Sequence, residues 1–427
     1  MFQMINSIVW AIASAFLLSS SIYFSIKLKF LQFRFPTMLK SLFSKEKSKI
    51  SPFQTLMMVL AARIGVGSLA GVALAIYIGG VGTIFWMWVI AFFSAINCYA
   101  ESVLGVTYQE KDGDVYKGGP SYYMKNGLGY KRLGGIYASL VILSYIGGFI
   151  GIQSNTIVKS FQEVQSIPSV LIGGVLVLLS ALIIFGGVKK IAEATSKIVP
   201  FMTIIFLGLS IVVLFGNLSQ IPRILSDVLK EAFALKPFFS GFIPMVLIGM
   251  QRGLFSSEAG LGTGSIASSV ASVKKPSKQG YIQMIGVYVT VLLICSATAI
   301  IILTSPYQEL NLVDLNGIEI TSFAFSYHFG TLGNWFVMIS ILFFAFSTIL
   351  TGYYYVESSV KYFMKNDNPK IIILFKILTL VIVLWGSLTS SNIIWNLIDF
   401  FVALLAIVNT YALIKLRKVV IEESKEL

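Results

Sequence analysis

The sequence predicts an all-α integral membrane protein of about eleven transmembrane helices. They form a 5+5 inverted repeat with two broken helices plus an extra N-terminal helix. Three observations carry this. Of 427 residues, 56% are apolar and only 12% charged, against about 25% charged in a soluble globular chain. The apolar runs are about 20 residues long, which suits spanning helices and not the short alternating strands of a barrel. Two of the runs are interrupted at membrane depth by glycine and charge.

The second interruption, Gly249 to Gly264, is the stretch around which the chain is organised. It reads Gly-Met-Gln-Arg-Gly-Leu-Phe-Ser-Ser-Glu-Ala-Gly-Leu-Gly-Thr-Gly. Each glycine weakens a helix by about 1 kcal/mol relative to alanine. Arg252 and Glu258 add charge, and a central arginine costs at least about 2.5 kcal/mol in a bilayer. Broken backbone is tolerated there only inside protein or beside a wet cavity. A kinked packing helix or a re-entrant loop is the plainer alternative.

Taken in order, the chain opens with an apolar run Ser7–Ile26, followed and not preceded by Lys27 and Lys29. That order opposes a cleavable signal peptide and suits an uncleaved first helix. Residues 27–50 interleave seven basic residues with Phe30, Leu31, Phe33, Phe35, Met38, Leu39 and Leu42, as an amphipathic helix on the cytoplasmic membrane surface would. Spans are expected at about 52–78, 82–106, 136–160, 168–186, 193–215, 242–272 (broken), 279–303, 331–357, 371–388 and 393–414. Residues 219–237 carry apolar positions at helical spacing, which predicts an outer interfacial helix. In 107–135, Asp112-Gly113-Asp114 is a turn signal. The stretch 304–330 reads as an outer loop without Lys or Arg.

Lysine and arginine concentrate in alternate loops: 107–135, 187–197, 274–278, 361–370 and the tail. The positive-inside rule then sets the N-terminus outside and the C-terminus in the cytoplasm of a multi-pass cell-membrane protein. The net charge of +13 belongs to these membrane-edge lysines facing anionic lipid, and no nucleic-acid partner is expected. Cys98 and Cys295 both lie in apolar runs, and His328 stands alone. No nucleophile–His–acid set, zinc motif or phosphate loop is present, so the chain does not read as an enzyme.

The first interruption reads Ala61-Ala-Arg-Ile-Gly-Val-Gly-Ser-Leu-Ala-Gly71. It opens five spans starting inside, and the second interruption opens five more starting outside. This is the spacing of an inverted-repeat transporter. The predicted units are 1–50 (first helix and amphipathic helix), 51–237 (first repeat and outer helix) and 238–427 (second repeat and tail). Unwinding frees N–H groups at the start of one half-helix, which suit a carboxylate, and C=O groups at the end of another, which suit an ammonium or a bare cation. A small amino acid presents both charges on one carbon. The carboxylate is expected at the N–H groups of Gly65, Val66 and Gly67, beside Ser68. The amine is expected at the carbonyls from Gly249 through Gln251 to Arg252, with Ser256 or Ser257.

Several stretches resemble one family. They are Ala62–Ala73, Phe85-Trp-Met-Trp88, Lys117-Gly-Gly-Pro120 with Tyr122-Tyr123, Gln251–Gly262, Gln279-Gly280 with Gln283-Met-Ile-Gly286, and Phe344-Ala-Phe-Ser-Thr348. The chain is similar over its whole length to the alanine or glycine:cation symporters (sodium:alanine symporters). The resemblance implies a LeuT-type fold and sodium-coupled uptake of a small neutral amino acid, with Na+ as coupling ion and no organic cofactor. It adds Gln153 and Asn155 in the fourth span as side-chain contacts, with a structural hydrogen bond between helices as the alternative for Gln153; Phe255 is expected to cap the substrate, with plain packing as its alternative. It places the cation at the carbonyls of Ala61 and Ile64 and the hydroxyls of Ser347 and Thr348, an all-oxygen set suited to a hard ion. Hydroxyls back-bonded within their own helix are the alternative.

The chain departs from the family pattern at Val66, Ser68 and Ser257, where the family has a hydroxyl residue and two asparagines. These changes put the substrate in question. A proton-coupled or exchange transporter of the same fold is the alternative function, and a channel or sensor a third. A monomer suffices for the predicted site. Arg63, Arg252, Glu101, Glu193, Glu258, Glu357 and Asp399 fall at or within spans, where charges pair or mark a pathway. Arg252 is expected to pair with Glu101 or Glu258.

Overall fold

The computed structural model describes residues 2–43, 49–234, 241–310, 317–364, 368–389 and 391–425. They are almost entirely helical. Helices α1 (Phe2–Lys27), α2 (Phe35–Leu42), α3 (Pro52–Arg63), α4 (Val72–Gly79) and α5 (Thr83–Thr107) come first. A hairpin of β1 (Glu110–Asp112) and β2 (Val115–Lys117) leads to α6 (Pro120–Asn126), then α7 (Lys131–Ser144) and α8 (Ile150–Gln162), then α9 (Ser169–Ile184), α10 (Gly187–Gly216) and α11 (Ile221–Ala232). The second half holds α12 (Ile243–Ser257), α13 (Thr263–Ser268), α14 (Pro276–Val287), α15 (Ser296–Leu303), α16 (Gly317–Phe329), α17 (Thr331–Phe363), α18 (Pro369–Leu388), α19 (Ser391–Lys415) and α20 (Arg417–Lys425). Among the described residues, eight helices are long and apolar enough to cross a membrane, or nine when the bent pair Pro52–Arg63 and Gly67–Gly79 counts as one.

The bent pair meets at 53°. Its first half starts with a full capping box: the Ser51 hydroxyl accepts from the Gln54 N–H, and the Gln54 side chain accepts from the Ser51 N–H. It stops after Arg63. The chain resumes as a π-turn, Gly67–Gly71, before α4. Two further π-turns, Tyr145–Phe149 and Tyr288–Cys295, lie inside the α7–α8 and α14–α15 rods. Such bulges relieve the regular helical ladder and collect at functional sites.

Two expectations change. The amphipathic segment 27–50 forms only a 3-10 turn at Leu31–Phe33 and the eight-residue α2, while residues 44–48 of that expectation lie outside the described residues. Met38 of α2 is buried, and Phe35 leans on Tyr288, so the segment packs on the protein as well as facing lipid. The outer loop 304–330 holds a 13-residue helix, α16, seated on the first π-turn: Thr321 donates to the Leu69 carbonyl at 3.4 Å. A Cβ on Gly317 would lie 1.9 Å from the Ala70 carbonyl oxygen, so only glycine permits that approach. The outer helix expected at 219–237 is present as α11, and residues 235–240 lie outside the described set.

The Asp112–Asp114 turn signal closes the hairpin, with Gly113 at φ 63°. Its carboxylates bind three distant elements. Asp114 bridges Lys49 before α3 and Lys189 on α10; Asp112 meets Lys361 on α17 at 2.8 Å and Lys117 at 3.5 Å. Burial alone would raise the Asp112 carboxyl, but the hydrogen bond and charge of Lys361 outweigh it and hold it below the usual range. At the exposed Asp114, hydrogen bonds from Lys189 and Lys49 pull the carboxyl down to about 2. A depressed carboxylate contributes its tie above its unfolded value of about 4 and loses it as pH falls through the folded value. The hairpin should therefore stay anchored at pH 5. Asp112→Asn should speed amide exchange across Glu110–Lys117, and unchanged exchange would remove that anchor. Added salt should loosen the exposed Asp114 pairs more than the half-buried Asp112 pair.

Candidate functional site

The first break exposes the end of a helix dipole. Because α3 stops at Arg63, its last carbonyls have no partners within the helix. Ile64 N–H reaches back to Leu60. The Ala61 carbonyl instead accepts from the Thr348 hydroxyl on α17 at 2.7 Å, and the Arg63 carbonyl from the Ser68 hydroxyl at 3.1 Å. Thr348 also lies 2.9 Å from the Phe344 carbonyl of its own helix. One hydroxyl proton is thus shared by two carbonyls, at the negative end of a half-helix. Hard oxygens at such an end suit a small cation. Ser347 donates to Phe344 within its own helix at 2.9 Å, so of the two hydroxyls Thr348 is the one the structure brings to the break.

On the other side of the break, Val66 N–H donates to Oε1 of Gln153 on α8 at 3.2 Å. A Cβ on Gly65 would lie 2.6 Å from Thr348 Oγ1 and 2.9 Å from Gln153 Oε1. Glycine is therefore required where the two expected contacts converge. A Cβ on Gly67 would lie 2.8 Å from the Phe255 ring, which in turn stacks on Phe149 at 5.1 Å and 7° and leans on Trp395 at 5.2 Å. Phe255 thus covers the backbone of the first break. Ser256 reaches the same place, 3.3 Å from that Gly67 position, and among the described residues its buried hydroxyl has no hydrogen-bond partner.

The second break lies later than Gly249–Arg252. Helix α12 runs unbroken to Ser257, and the chain turns through Glu258 at φ 50°, Gly260 at 86° and Gly262 at 91° before α13. The carbonyls of Gly249 and Gln251 therefore sit within a regular helix, committed to its ladder. The early glycines serve packing. A Cβ on Gly249 would meet the Thr83 carbonyl at 2.7 Å, and one on Gly253 would meet Ile90 at 2.5 Å, so both let α12 close on α5. Gln251 lies beside Asp399.

Two more side chains take local roles. Ser257 accepts from Ala259 N–H at 3.3 Å, and Ser68 caps Arg63, so each serine ties its own break. Asn155, on the opposite side of α8 from Gln153, donates to the carbonyls of Gly386 and Thr389 at the end of α18. That is an interhelical bond away from the break. Arg252 pairs with Asp399 of α19 at 3.5 Å and stacks over Trp395 at 4.9 Å, and not with Glu101 or Glu258. Glu193 pairs locally with Lys197, and Glu357 with Lys361 and Tyr353.

The second break is held by residues that sequence reasoning left unplaced. Glu101 Oε2 accepts from Gly262 N–H at 2.9 Å and Asn409 Nδ2 at 3.1 Å. Asn409 also donates to the Gly260 carbonyl, and Tyr137 to the Leu261 carbonyl. Glu258 accepts from Tyr145 and Thr263. Arg63, the last residue of α3, lies buried within electrostatic reach of both glutamates and donates to the Gln283 carbonyl and Cys98 Sγ. A Cβ on Gly286 would lie 2.7 Å from Arg63 Nη1, and one on Gly264 3.0 Å from Nη2. The Gln283-to-Gly286 stretch is thus the seat of this arginine. The signal available in sequence was a charge in each of three spans, without their pairing.

The family pattern described as the sodium:alanine symporter family matches residues 1–427. The chain belongs to that family. It is 37% identical to the probable sodium/glutamine symporter GlnT of Bacillus subtilis over 99% of this chain and 89% of that one. It is 34% identical to the sodium/alanine symporter AgcS of Methanococcus maripaludis, over 99% and 95%, and 33% identical to the amino-acid carrier protein AlsT of B. subtilis, over 99% and 90%. The chain is accordingly a multi-pass membrane protein of a sodium/amino-acid symporter family.

A variant isolates the Gln153 contact. Gln153→Ala leaves the buried Val66 N–H without its acceptor, a cost of about 1–3 kcal/mol. Amino-acid uptake should fall while the protein stays folded. Full uptake by folded Gln153→Ala would remove this residue from the site.

Proposed function

We propose that this chain imports a small neutral amino acid, alanine or glycine, together with Na+, by alternating access. The observation that carries the reading is the convergence at Gly65 of Thr348 Oγ1 and Gln153 Oε1, one on each side of the first break. Na+ takes the Ala61 carbonyl and the Thr348 hydroxyl, at the negative end of α3. The substrate carboxylate takes the N–H groups that follow, replacing Gln153 as acceptor for Val66, while the Gln153 amide turns to donate. Phe255 closes over the small side chain, and Ser256 offers its hydroxyl. Phe255 packs closely on the Gly67 backbone, which disfavours a long side chain there. The Arg252–Asp399 pair, stacked on Trp395, closes the path on the α12 N-terminal side.

The same reading takes α9 and the α12–α13 pair as spans beside the nine, giving eleven in a 5+5 inverted repeat of the LeuT type. The charge distribution sets the N-terminus outside and the C-terminus in the cytoplasm. The repeat units are 51–237 and 238–427, and a single chain contains the whole site.

The test is uptake of labelled alanine, glycine and glutamine into proteoliposomes with and without an inward sodium gradient. Sodium-driven uptake of alanine or glycine supports the proposal. Glutamine uptake in their place would mean that the pocket admits a longer side chain. Uptake driven only by a proton gradient, or by exchange, would replace sodium as the driving ion.

A further inference from the structure

We propose that the Arg63–Glu101–Glu258 cluster is a proton-binding site, with the proton carried on Glu101. The proposal rests on the transport reading above for its role, but on geometry for its existence.

The cluster counts one fixed cation against two carboxyls. Arg63 and Glu258 are 1% exposed and Glu101 is fully buried; Arg63 and Glu101 lie in apolar candidate spans, and Glu258 ends α12. Two ionised carboxylates beside one guanidinium would leave a net negative charge in a medium where each uncompensated ion costs several kcal/mol. The two carboxyls are not served alike. Both Glu258 oxygens have hydroxyl partners, Tyr145 at 2.8 Å and Thr263 at 3.1 Å, an arrangement that suits an ionised carboxylate. In Glu101 only Oε2 is served, by Gly262 N–H and Asn409; among the described residues the buried Oε1 has no partner. A carboxylate would carry charge on that bare oxygen, and a neutral carboxyl would carry its proton there. Among the described residues, the groups facing Glu101 supply no second cation. They are Arg63 from α3, Cys98 from its own helix, Tyr123 from α6, Tyr137 from α7, Glu258 at the end of α12, Tyr355 from α17 and the neutral amide of Asn409 from α19. A metal ion at Oε1 would lie close to the guanidinium: the Gly264 Cβ position is 3.6 Å from Oε1 and 3.0 Å from Arg63 Nη2. A proton avoids that repulsion.

The cluster joins both breaks. Arg63 ends the first half-helix, Glu258 begins the second break, and Glu101 holds its far end at Gly262. With Glu101 protonated, the cluster is charge-balanced and the two breaks are tied together. Loss of the proton leaves a net negative charge that is relieved only when water reaches it. Opening of the second break is therefore linked to proton release.

The test is infrared spectroscopy of the purified protein in lipid, read at the carbonyl stretch of a protonated buried carboxyl. Wild type should show this band at neutral pH and lose it on titration to alkaline pH. Glu101→Gln should lack it, while Glu258→Gln and Asp399→Asn retain it. In proteoliposomes, sodium-driven uptake by wild type should fall at alkaline pH, and the uptake left in Glu101→Gln should lose that fall. A band that persists in Glu101→Gln, or an unchanged pH profile in that variant, overturns the proposal. Should Glu101→Gln fail to fold, absence of the band in wild type overturns it equally. Loss of uptake by every protein, with the band behaving as stated, would count against the transport reading and leave the proton site standing.

Discussion

Arg63→Met should cost about 3–5 kcal/mol of folded stability, the usual penalty for leaving a buried charge uncompensated. Among the described residues the arginine is the only cation near Glu101 and Glu258, and Glu258 is held by two hydroxyls. Methionine fills most of the side-chain volume, so the loss is electrostatic and not a cavity. The Gln283 carbonyl and Cys98 also lose their donor. The measurement is the thermal unfolding midpoint of the purified carrier. Adding Glu258→Gln to Arg63→Met removes the stranded anion and should recover most of the loss, because a neutral cluster needs no counter-ion. An Arg63→Met midpoint equal to that of wild type would show that the guanidinium is already screened. A double variant no better than the single would mean that packing, not charge, sets the cost.

That cluster also marks where sequence reasoning stops. Both interruptions were legible, because glycine and charge within an apolar run have few explanations in a bilayer. The position of the second was less so. Gly249 and Gly253 look like helix breakers along the chain, yet they sit in a continuous helix because α5 presses against them. Glycine records close approach as readily as unwinding, and only the neighbour decides which. The actual break uses Gly260 and Gly262, whose positive φ values no local pattern distinguishes from the other glycines. The partners of the charges were likewise hidden. Arg252 finds Asp399 on the last long helix, and Glu101 finds a backbone N–H on the second break; both are pairings across the bundle. Gln153 and Thr348 were placed by resemblance, and they do meet at Gly65. Asn155 and Ser347, proposed on the same grounds, turn to α18 and to their own helix. Positions two residues apart on a helix, or adjacent, face different neighbours. Helix α16 escaped notice because its thirteen residues are too few for a span and lack a polar face.

Thr348→Ala should raise the sodium concentration for half-maximal uptake by roughly 10- to 100-fold. Losing one charge-assisted oxygen contact costs about 1.5–3 kcal/mol, and each 1.4 kcal/mol is about tenfold. The Ala61 carbonyl stays in place, since it belongs to α3, so sodium binding should weaken and not vanish. Thr348→Ser keeps the oxygen and loses only a methyl group, and should stay close to wild type. The order of preference among amino acids should hold in both variants, because the N–H groups, Phe255 and Gln153 are untouched. This pattern separates an ion ligand from a packing residue. A threonine that served only to join α17 to α3 would shift stability and substrate response together, and its alanine variant would show a wild-type sodium requirement in whatever uptake remained. Gly65 makes the contrast sharper. A Cβ there would press on Thr348 Oγ1 at 2.6 Å and on Gln153 Oε1 at 2.9 Å, so Gly65→Ala should disturb sodium and substrate responses at once. Selective loss in Thr348→Ala beside joint loss in Gly65→Ala is what one break serving two ligands requires.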